Sequence, residues 1–288
     1  MGILTNKLGL TLLLIAGNIS TLGAITAKDY LKRGDDDFRK GHYKQAMLSY
    51  KNGCDLGSSF SCTSLASMYE DGNDSIKQDF LKAVLYYKKG CDLKDQISRA
   101  SLASMYEDGE GIGRNYHEAI FYYKKGCELK GGVSCGSLGF AYFNGVGVEQ
   151  NYIKAFSFAK QACGLNYGLS CHLVGYMYRD GKGIKKDLKK ALSYFRMGCH
   201  LENGASCVSL GFMYENGMGA TKSNQQAMAL YKKGCFLKDG NGCHNFAGMY
   251  YNGNGVQKDV AKATSFYKEG CELGFSSSCK ALKEIGQQ

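Results

Sequence analysis

The cysteines of this chain recur at a spacing that suits disulfide bonding, metal binding or thiol chemistry. A leading cysteine returns in steps of 37 and then 36 residues, at Cys54, Cys91, Cys127, Cys163, Cys199, Cys235 and Cys271. A second cysteine follows eight positions later at Cys62, Cys135, Cys171, Cys207, Cys243 and Cys279. After Cys91 that position holds Arg99. Six repeats therefore carry a pair of thiols, and one carries a single thiol.

The sequence contains parts of a hydrolytic motif but no complete one. One local signature of a hydrolytic serine is S-x-x-K together with S-D-N and K-T-G. S-x-x-K occurs at Ser157–Lys160, Ser265–Lys268 and Ser277–Lys280, but the other two motifs are missing from the sequence. The slot of the first two serines holds Leu85, Phe121 or Ala229 in other repeats, so it is a scaffold position. The sequence therefore identifies no catalytic residue, and whether the protein is an enzyme stays open.

Three histidines adjoin cysteines, at His172, His200 and His244. The eight-residue cysteine spacing is wider than that of zinc sites, and each repeat offers only two thiols. We therefore predict no metal ion and no cofactor.

These residues must be positioned by repeated helix pairs. In the first helix of a pair, Leu138, Ala141 and Tyr142 share one face, and Gly145 provides a left-handed end. Asn151 is placed to begin the second helix as an N-cap, and that helix is expected to stop near the glycine before each leading cysteine. The pattern predicts an all-α fold, a right-handed α/α solenoid of stacked helix pairs.

The repeat also resembles a known family. Each unit carries a C-x-x-L-A/G-x-M-Y pattern and, in most copies, a G-x-G turn, which resembles Sel-like repeats related to tetratricopeptide repeats. With its paired cysteines, the chain resembles the Helicobacter cysteine-rich protein family over residues 28–288. The resemblance implies penicillin binding and, as an alternative, β-lactam hydrolysis.

The short connection between consecutive helix pairs brings the two cysteines of each repeat together. We predict disulfides Cys54–Cys62, Cys127–Cys135, Cys163–Cys171, Cys199–Cys207, Cys235–Cys243 and Cys271–Cys279. Cys91 is left as a free thiol. It is either a buried cysteine or the site of an intermolecular disulfide that links a dimer, and the joint at Cys91 and Arg99 is expected to be the softest in the array.

The chain divides into a leader and one solenoid. Residues 1–27 have the pattern of a signal peptide, with cleavage after Ala24 or Ala27 and no stable membrane anchor. Residues 28–53 form an N-terminal cap, 54–279 the repeats with cysteines, and 280–288 the C-terminal end. We therefore predict that the protein is exported to the periplasm or secreted from the cell. The net charge of +10 comes from dispersed lysines, so we predict no nucleic-acid partner.

A binding groove is predicted on the concave side of the first helices. Position 140 of the repeat, opposite the core, holds an aromatic residue in three successive units, and the nearby outward positions add further candidates. The predicted groove residues are Phe140, Tyr176, Phe212, Phe143, Arg179 and Tyr251. These rings either form a groove or pack against a neighbouring helix. The first alternative indicates a binding scaffold for a peptide, a protein or a cell-wall fragment, and the family resemblance implies a β-lactam as a further candidate ligand.

Overall fold

The computed structural model describes residues 25–286, and the helices in this range are arranged as successive pairs. The helices are α1 Ala27–Arg39, α2 Tyr43–Asp55, α3 Ser59–Asp71, α4 Phe80–Asp92, α5 Gln96–Asp108, α6 Tyr116–Glu128, α7 Gly132–Asn144, α8 Tyr152–Gly164, α9 Gly168–Asp180, α10 Leu188–His200, α11 Gly204–Glu215, α12 Asn224–Phe236, α13 Gly240–Asn252, α14 Val260–Glu272 and α15 Ser276–Ile285. Each odd-numbered helix packs against the even-numbered helix that follows it. The predicted all-α solenoid is confirmed.

The helix ends follow the predicted capping pattern. The Asn151 side chain accepts a hydrogen bond from the Lys154 amide at 3.0 Å, and that of Asp187 accepts one from Lys190 at 2.9 Å. Gly145 ends α7 in the left-handed conformation, with φ of 76°. Each cap satisfies backbone groups that the helix itself leaves unpaired.

The even-numbered helices end near the glycine before each leading cysteine, as the sequence predicted. In α6 this glycine is Gly126, and the helix ends at Glu128. Gly126 is needed for close packing, because a Cβ there would lie 2.2 Å from Oγ of Ser134 in α7. Gly90, Gly198 and Gly270 meet a serine in the same way. The glycine therefore serves helix approach, at a cost of about 1 kcal/mol in helix propensity.

The turns that join consecutive pairs share one unusual backbone feature. One residue of every such turn has a positive φ, and in five turns it is not a glycine. These five residues are Lys94, Lys130, Asn166, Glu202 and Lys238, with φ between 59° and 64°. Gly57 and Gly274 hold the position in the first and last turns. The turn therefore requires a left-handed residue, whichever side chain the sequence supplies.

All six predicted disulfides are formed across these turns. The first cysteine lies in the last turn of an even-numbered helix and the second near the start of the next helix. In the pair Cys127–Cys135 the Cα atoms are 4.7 Å apart. The disulfides thus link each helix pair to the next.

Within most units the two helices are joined by a stacked pair of aromatic rings. Tyr106 stacks on Tyr122 with centroids 5.7 Å apart, and Tyr142 on Phe158 at 5.6 Å. Equivalent pairs are Tyr69–Tyr86, Tyr178–Tyr194 and Tyr250–Phe266. These stacks pack against the buried residues of successive core clusters along the solenoid.

The loop after α3 departs from the other repeats, and it lies within the one 37-residue step between leading cysteines. A bridge between Asn73 and Ile76 replaces the G-x-G turn, and the Ile76 side chain is buried. Most of the predicted leader, residues 1–24, lies outside the described residues. Within residues 25–286, no helix combines the length and the apolar character that a membrane crossing requires.

Candidate binding face

The odd-numbered helices form the inner side of the solenoid. Successive odd-numbered helices contact each other, whereas successive even-numbered helices make no comparable contact within residues 25–286. The array therefore curves towards its odd-numbered helices. We call the exposed surface of α3, α5, α7, α9, α11 and α13 the inner face.

The middle of the inner face carries a row of large side chains, in which Tyr176 contacts two neighbours. The Phe143 ring lies 5.8 Å from that of Tyr176, and Cζ of Arg179 lies 4.9 Å from the Tyr176 ring centroid. Phe140 is half-buried beside the core, and Phe212 is 43% exposed. We call these five residues the central segment. The predicted rings therefore differ in their surroundings. Phe140 and Tyr176 pack in part against neighbouring helices, while Phe212 extends into solvent.

The sixth predicted groove residue lies apart from this segment. Tyr251 is on α13, where it packs against the core around Ala263 and Tyr267. Nζ of Lys258 lies 5.4 Å from its ring centroid. Tyr251 therefore belongs to the C-terminal end of the inner face.

Arg179 is held in place by its neighbour. Its Nε donates to Oδ1 of Asp180 at 2.7 Å, and its Nη2 donates to Oδ2 at 3.1 Å. The guanidinium in turn lowers the pKa of Asp180. This bidentate pair fixes the guanidinium above the Tyr176 ring, where it makes a cation–π contact.

Two cavities open on the inner face outside the central segment, one towards each end of the solenoid. The N-terminal one has a volume of about 440 Å³ and is lined by Phe38, Tyr43, Ser67 and Asp71 among others. The C-terminal one has a volume of about 240 Å³ and includes Asn245, Gly248, Asn252 and Asn254. Ser67 and Gly248 occupy the repeat position that holds Phe140 in the centre, so a small residue leaves a cavity where a ring fills the space. Sequence reasoning missed both cavities, although these small residues were their signal.

The repeat position that Phe143 and Arg179 occupy differs between units, and this difference explains why these two side chains are free to reach outward. In three units it holds a glutamate that accepts a hydrogen bond from a buried tyrosine of the following helix. The pairs are Glu70–Tyr87, Glu107–Tyr123 and Glu215–Tyr231, the second at 2.9 Å and the third at 2.6 Å. Burial raises the pKa of Glu70, and burial together with Glu70 raises the pKa of Tyr87. Phe143 and Arg179 hold this position opposite Ala159 and Phe195, which offer no hydroxyl.

Charge is divided between the two sides of the solenoid. The inner helices α3 to α13 carry the acids Glu70, Asp71, Glu107, Asp108, Asp180 and Glu215. Their basic residues are Arg99 and Arg179. The even-numbered helices carry most of the lysines, including Lys88, Lys124, Lys160 and Lys232, all exposed. The inner face is therefore suited to a partner with basic and aromatic groups.

The candidate catalytic groups do not form a reactive site. Ser157, Ser265 and Ser277 and the lysines of their motifs are exposed on the outer helices and the last helix. His172 lies within 3.0 Å of Oγ of Ser209, and burial lowers its pKa, so the imidazole is neutral. A serine nucleophile also needs a group to orient the histidine. Within residues 25–286, no other side chain hydrogen-bonds this ring.

Arg99 takes the place of the missing disulfide. Its Nη2 donates to the carbonyl oxygen of Cys91 at 3.2 Å, and its Nη1 donates to that of Lys125 at 3.0 Å. The guanidinium thus connects α5 to the C-terminal ends of α4 and α6, where the helix dipole favours a cation.

Cys91 is the free thiol that the sequence predicted. Its side chain is buried, and burial raises its pKa to about 12. A buried, protonated thiol is a poor partner for an intermolecular disulfide, which favours the first of the two alternatives for this residue.

Comparisons with known proteins agree with this geometry. The Sel1 repeat model matches residues 59–95, 98–130, 133–167, 168–203, 204–235 and 242–275. The Oxalobacter formigenes Sel1 repeat protein is 23% identical with a TM-score of 0.79 and covers 84% of this chain and 99% of its own. The protective antigen c5321 of uropathogenic Escherichia coli is 24% identical with a TM-score of 0.75 and covers 91% of this chain and 56% of its own. Both likenesses support the fold.

Two curated relatives share a shorter stretch. "Putative beta-lactamase HcpD" of Helicobacter pylori strain 26695 is 58% identical over 69 residues, which span 24% of this chain and 22% of HcpD. HcpD of strain J99 is 56% identical over the same length, which spans 23% of that protein. The aligned stretch is thus less than a quarter of either relative, and over it the resemblance to the Helicobacter cysteine-rich proteins is confirmed. With six matched repeats over most of its length, the chain belongs to the Sel1 repeat family.

Proposed function

We propose that this protein is an extracytoplasmic binding scaffold whose inner face holds an extended segment of a partner protein. The observation that carries the proposal is the central segment, in which Tyr176 contacts both Phe143 and Arg179 on a concave surface. Aromatic and arginine side chains contribute most of the binding energy in many interfaces. The two cavities towards the ends of the inner face offer pockets for side chains of an extended partner.

The chemistry of the inner face selects among the ligands. Its acids favour a partner segment with basic residues, and its exposed ring at Phe212 favours aromatic or apolar residues. A peptide or protein segment carries both kinds of group. A cell-wall fragment or a β-lactam would use the same face, but it has less to gain from the acids.

The test uses peptides selected from a random phage-displayed library against the purified, oxidised protein. Affinities measured by fluorescence anisotropy are expected to fall at least about tenfold in Tyr176→Ala and in Phe212→Ala. Phe236→Ala is the matched control, because Phe236 is 70% exposed on the outer helix α12. Equal affinity of all three variants and the wild type would rule out the central segment. A Phe140, Tyr176, Phe212 triple alanine variant that unfolds would instead show that these rings are mainly structural.

Placement outside the cytoplasm is supported by the six disulfides, which persist in oxidising compartments. We further propose that the leader is cleaved after Ala24. Thr26 caps α1 and exchanges hydrogen bonds with Asp29, so cleavage after Ala27 would remove this cap. The N-terminal sequence of the exported protein tests this choice between the two cleavage sites.

The name of the HcpD relatives raises β-lactam hydrolysis as the alternative function. No arrangement of side chains within residues 25–286 favours it, since the serines of the S-x-x-K motifs are exposed and lack an activating partner. Nitrocefin turnover by the oxidised protein is therefore expected to equal the uncatalysed rate. Turnover that is abolished by Ser157→Ala or Ser265→Ala would reverse this conclusion.

A further inference from the structure

The joint that lacks a disulfide opens onto a cavity on the outer side of the solenoid. It has a volume of about 470 Å³ and lies between α4, α5 and α6. Its walls are formed by Lys88, Cys91, Asp92, Arg99, Phe121, Tyr122 and Lys125. The size is within the range of small-ligand pockets. This cavity is separate from the inner face and has no part in the function proposed above.

The cavity concentrates positive charge around one guanidinium. Two of the five N–H groups of Arg99 bond to carbonyl oxygens, which leaves three donors for another acceptor. Within residues 25–286, no carboxylate forms an ion pair with Arg99 or Lys88. Asp92 offsets one positive charge, and Glu128, outside the cavity, pairs with Lys125 at 3.2 Å. A singly charged anion would neutralise the net positive charge that remains in the cavity.

The opposite wall is aromatic. Phe121 is 51% exposed, and its ring meets that of Tyr122 edge-on with centroids 5.2 Å apart. An exposed ring beside a cationic group favours a ligand that carries an apolar body next to its negative charge. Arginine pairs well with a planar carboxylate, because its donors match the two carboxylate oxygens.

The next repeat provides an internal comparison. The equivalent cavity, between α6 and α8, has a volume of about 350 Å³ and is lined by Lys124, Cys127, Glu128, Phe158 and Gln161. There the disulfide Cys127–Cys135 stands where Cys91 and Arg99 stand, and Gln161 replaces Lys125. The loss of one disulfide therefore coincides with a gain of two basic groups in a similar cavity.

We propose that the Arg99 cavity binds a carboxylate attached to an aromatic group, such as a free aromatic amino-acid derivative or the C-terminal residue of a peptide. The carboxylate lies among Arg99, Lys88 and Lys125, and the aromatic group packs on Phe121. The other outer cavity lacks this arrangement and is not a site.

The test is isothermal titration calorimetry with N-acetyl-L-phenylalanine and with its uncharged amide. The wild type is expected to bind the acid, more weakly as salt increases, and not the amide. Arg99→Cys restores the cysteine pair and removes the guanidinium, so its affinity is expected to fall at least about tenfold. Lys232→Gln removes one positive charge from the exposed side of α12, far from the cavity, and serves as the matched control with unchanged affinity. Equal binding of acid and amide, or wild-type affinity in Arg99→Cys, would overturn the proposal.

A second variant covers the case in which Arg99→Cys fails to fold. The double change Lys88→Gln and Lys125→Gln keeps the hydrogen bonds of Arg99. It is expected to lower the affinity for N-acetyl-L-phenylalanine by a similar factor and to leave the circular dichroism spectrum unchanged. Unchanged affinity of this variant would count against the cavity. Inorganic phosphate that binds as tightly as the acid would overturn the choice of a carboxylate.

The source of the carboxylate is read from a peptide that ends in phenylalanine, compared with the same peptide amidated. Binding of the free-acid peptide at least as tight as that of N-acetyl-L-phenylalanine assigns the cavity to chain ends. Binding of the small acid alone assigns it to free amino-acid derivatives. Both results support the shared chemistry.

Discussion

Two neighbouring joints of this solenoid solve the same problem by different chemistry. Between α6 and α7 a covalent bond joins Cys127 to Cys135, whereas between α4 and α5 the Arg99 guanidinium bonds to carbonyl oxygens. The covalent joint links two helices and resists opening. The hydrogen-bonded joint reaches a third helix but can dissociate and re-form. A repeat array can therefore exchange local rigidity for an accessible polar group without a change in its path.

The largest effect is expected from breaking the covalent joint. The double variant Cys127→Ser and Cys135→Ser should lower the free energy of unfolding by about 2–4 kcal/mol, because the unfolded chain regains the freedom of the closed loop. Urea denaturation of the oxidised protein measures it. The difference from the wild type should vanish when both are fully reduced, and an equal loss under both conditions would show that packing is responsible.

A smaller change is expected when the two joints are made alike. Arg99→Cys should form a disulfide with Cys91, because the other six joints place their cysteines with Cα atoms 4.4–4.8 Å apart. The gain in unfolding free energy should be about 2 kcal/mol, reduced from the full loop-closure value by the lost guanidinium bonds. Mass spectrometry verifies the bond, and a free thiol pair in the folded variant would contradict the prediction.

Removal of the guanidinium without a replacement should loosen only its own joint. Arg99→Gln is expected to cost about 1 kcal/mol, since two hydrogen bonds near helix ends are lost. Amide hydrogen exchange should be faster around Cys91–Arg99 than around Cys127–Cys135 in the wild type, and faster still in this variant. Equal exchange at the two joints in the wild type would mean that Arg99 holds as firmly as a disulfide.

The smallest expected effect concerns the pH dependence of the Cys91 joint. Burial raises the pKa of this thiol from 9.0 to about 12, so the folded state favours the protonated form. Its contribution to stability is complete below pH 9 and declines as the pH rises towards 12. Between about pH 8.5 and 9.5 the wild type should lose about 0.7 kcal/mol more than Cys91→Ser. A thiol reagent that labels native Cys91 at pH 8, or a dimer on non-reducing gels, would show that the thiol is accessible.

The sequence was sufficient for the features that repeat. The cysteine spacing predicted every disulfide, because two cysteines across a short turn have few other partners. It was insufficient where a residue meets the next repeat. The bond from Arg99 to the Lys125 carbonyl links residues from different units, and no periodicity signals it. The packing contact between Gly126 and Ser134 of the next helix was not predicted for the same reason.

The candidate site was predictable only in part. Counting around the helix placed Phe140, Tyr176 and Phe212 on the inner face, but it could not decide how far each ring packs inward. That depends on the neighbour opposite, such as Ala159 or Phe195, whose distance the sequence does not give. The cavities at Ser67 and Gly248 arise because a small residue stands where other units have an aromatic ring. The sequence reveals this only when the same position is compared across the repeats.

The left-handed turns have a consequence for the evolution and engineering of the array. Each of the five non-glycine residues, at positions 94, 130, 166, 202 and 238, is held in a conformation that costs an L-residue about 1 kcal/mol. Lys130→Gly would relieve this cost, less the entropy that glycine regains in the unfolded chain. Because the relieved strain and the entropy cost of glycine are both about 1 kcal/mol, they nearly cancel, and each turn tolerates either kind of residue at little net cost. The side chains at these five positions can therefore change without loss of stability, which leaves the turns open to sequence variation.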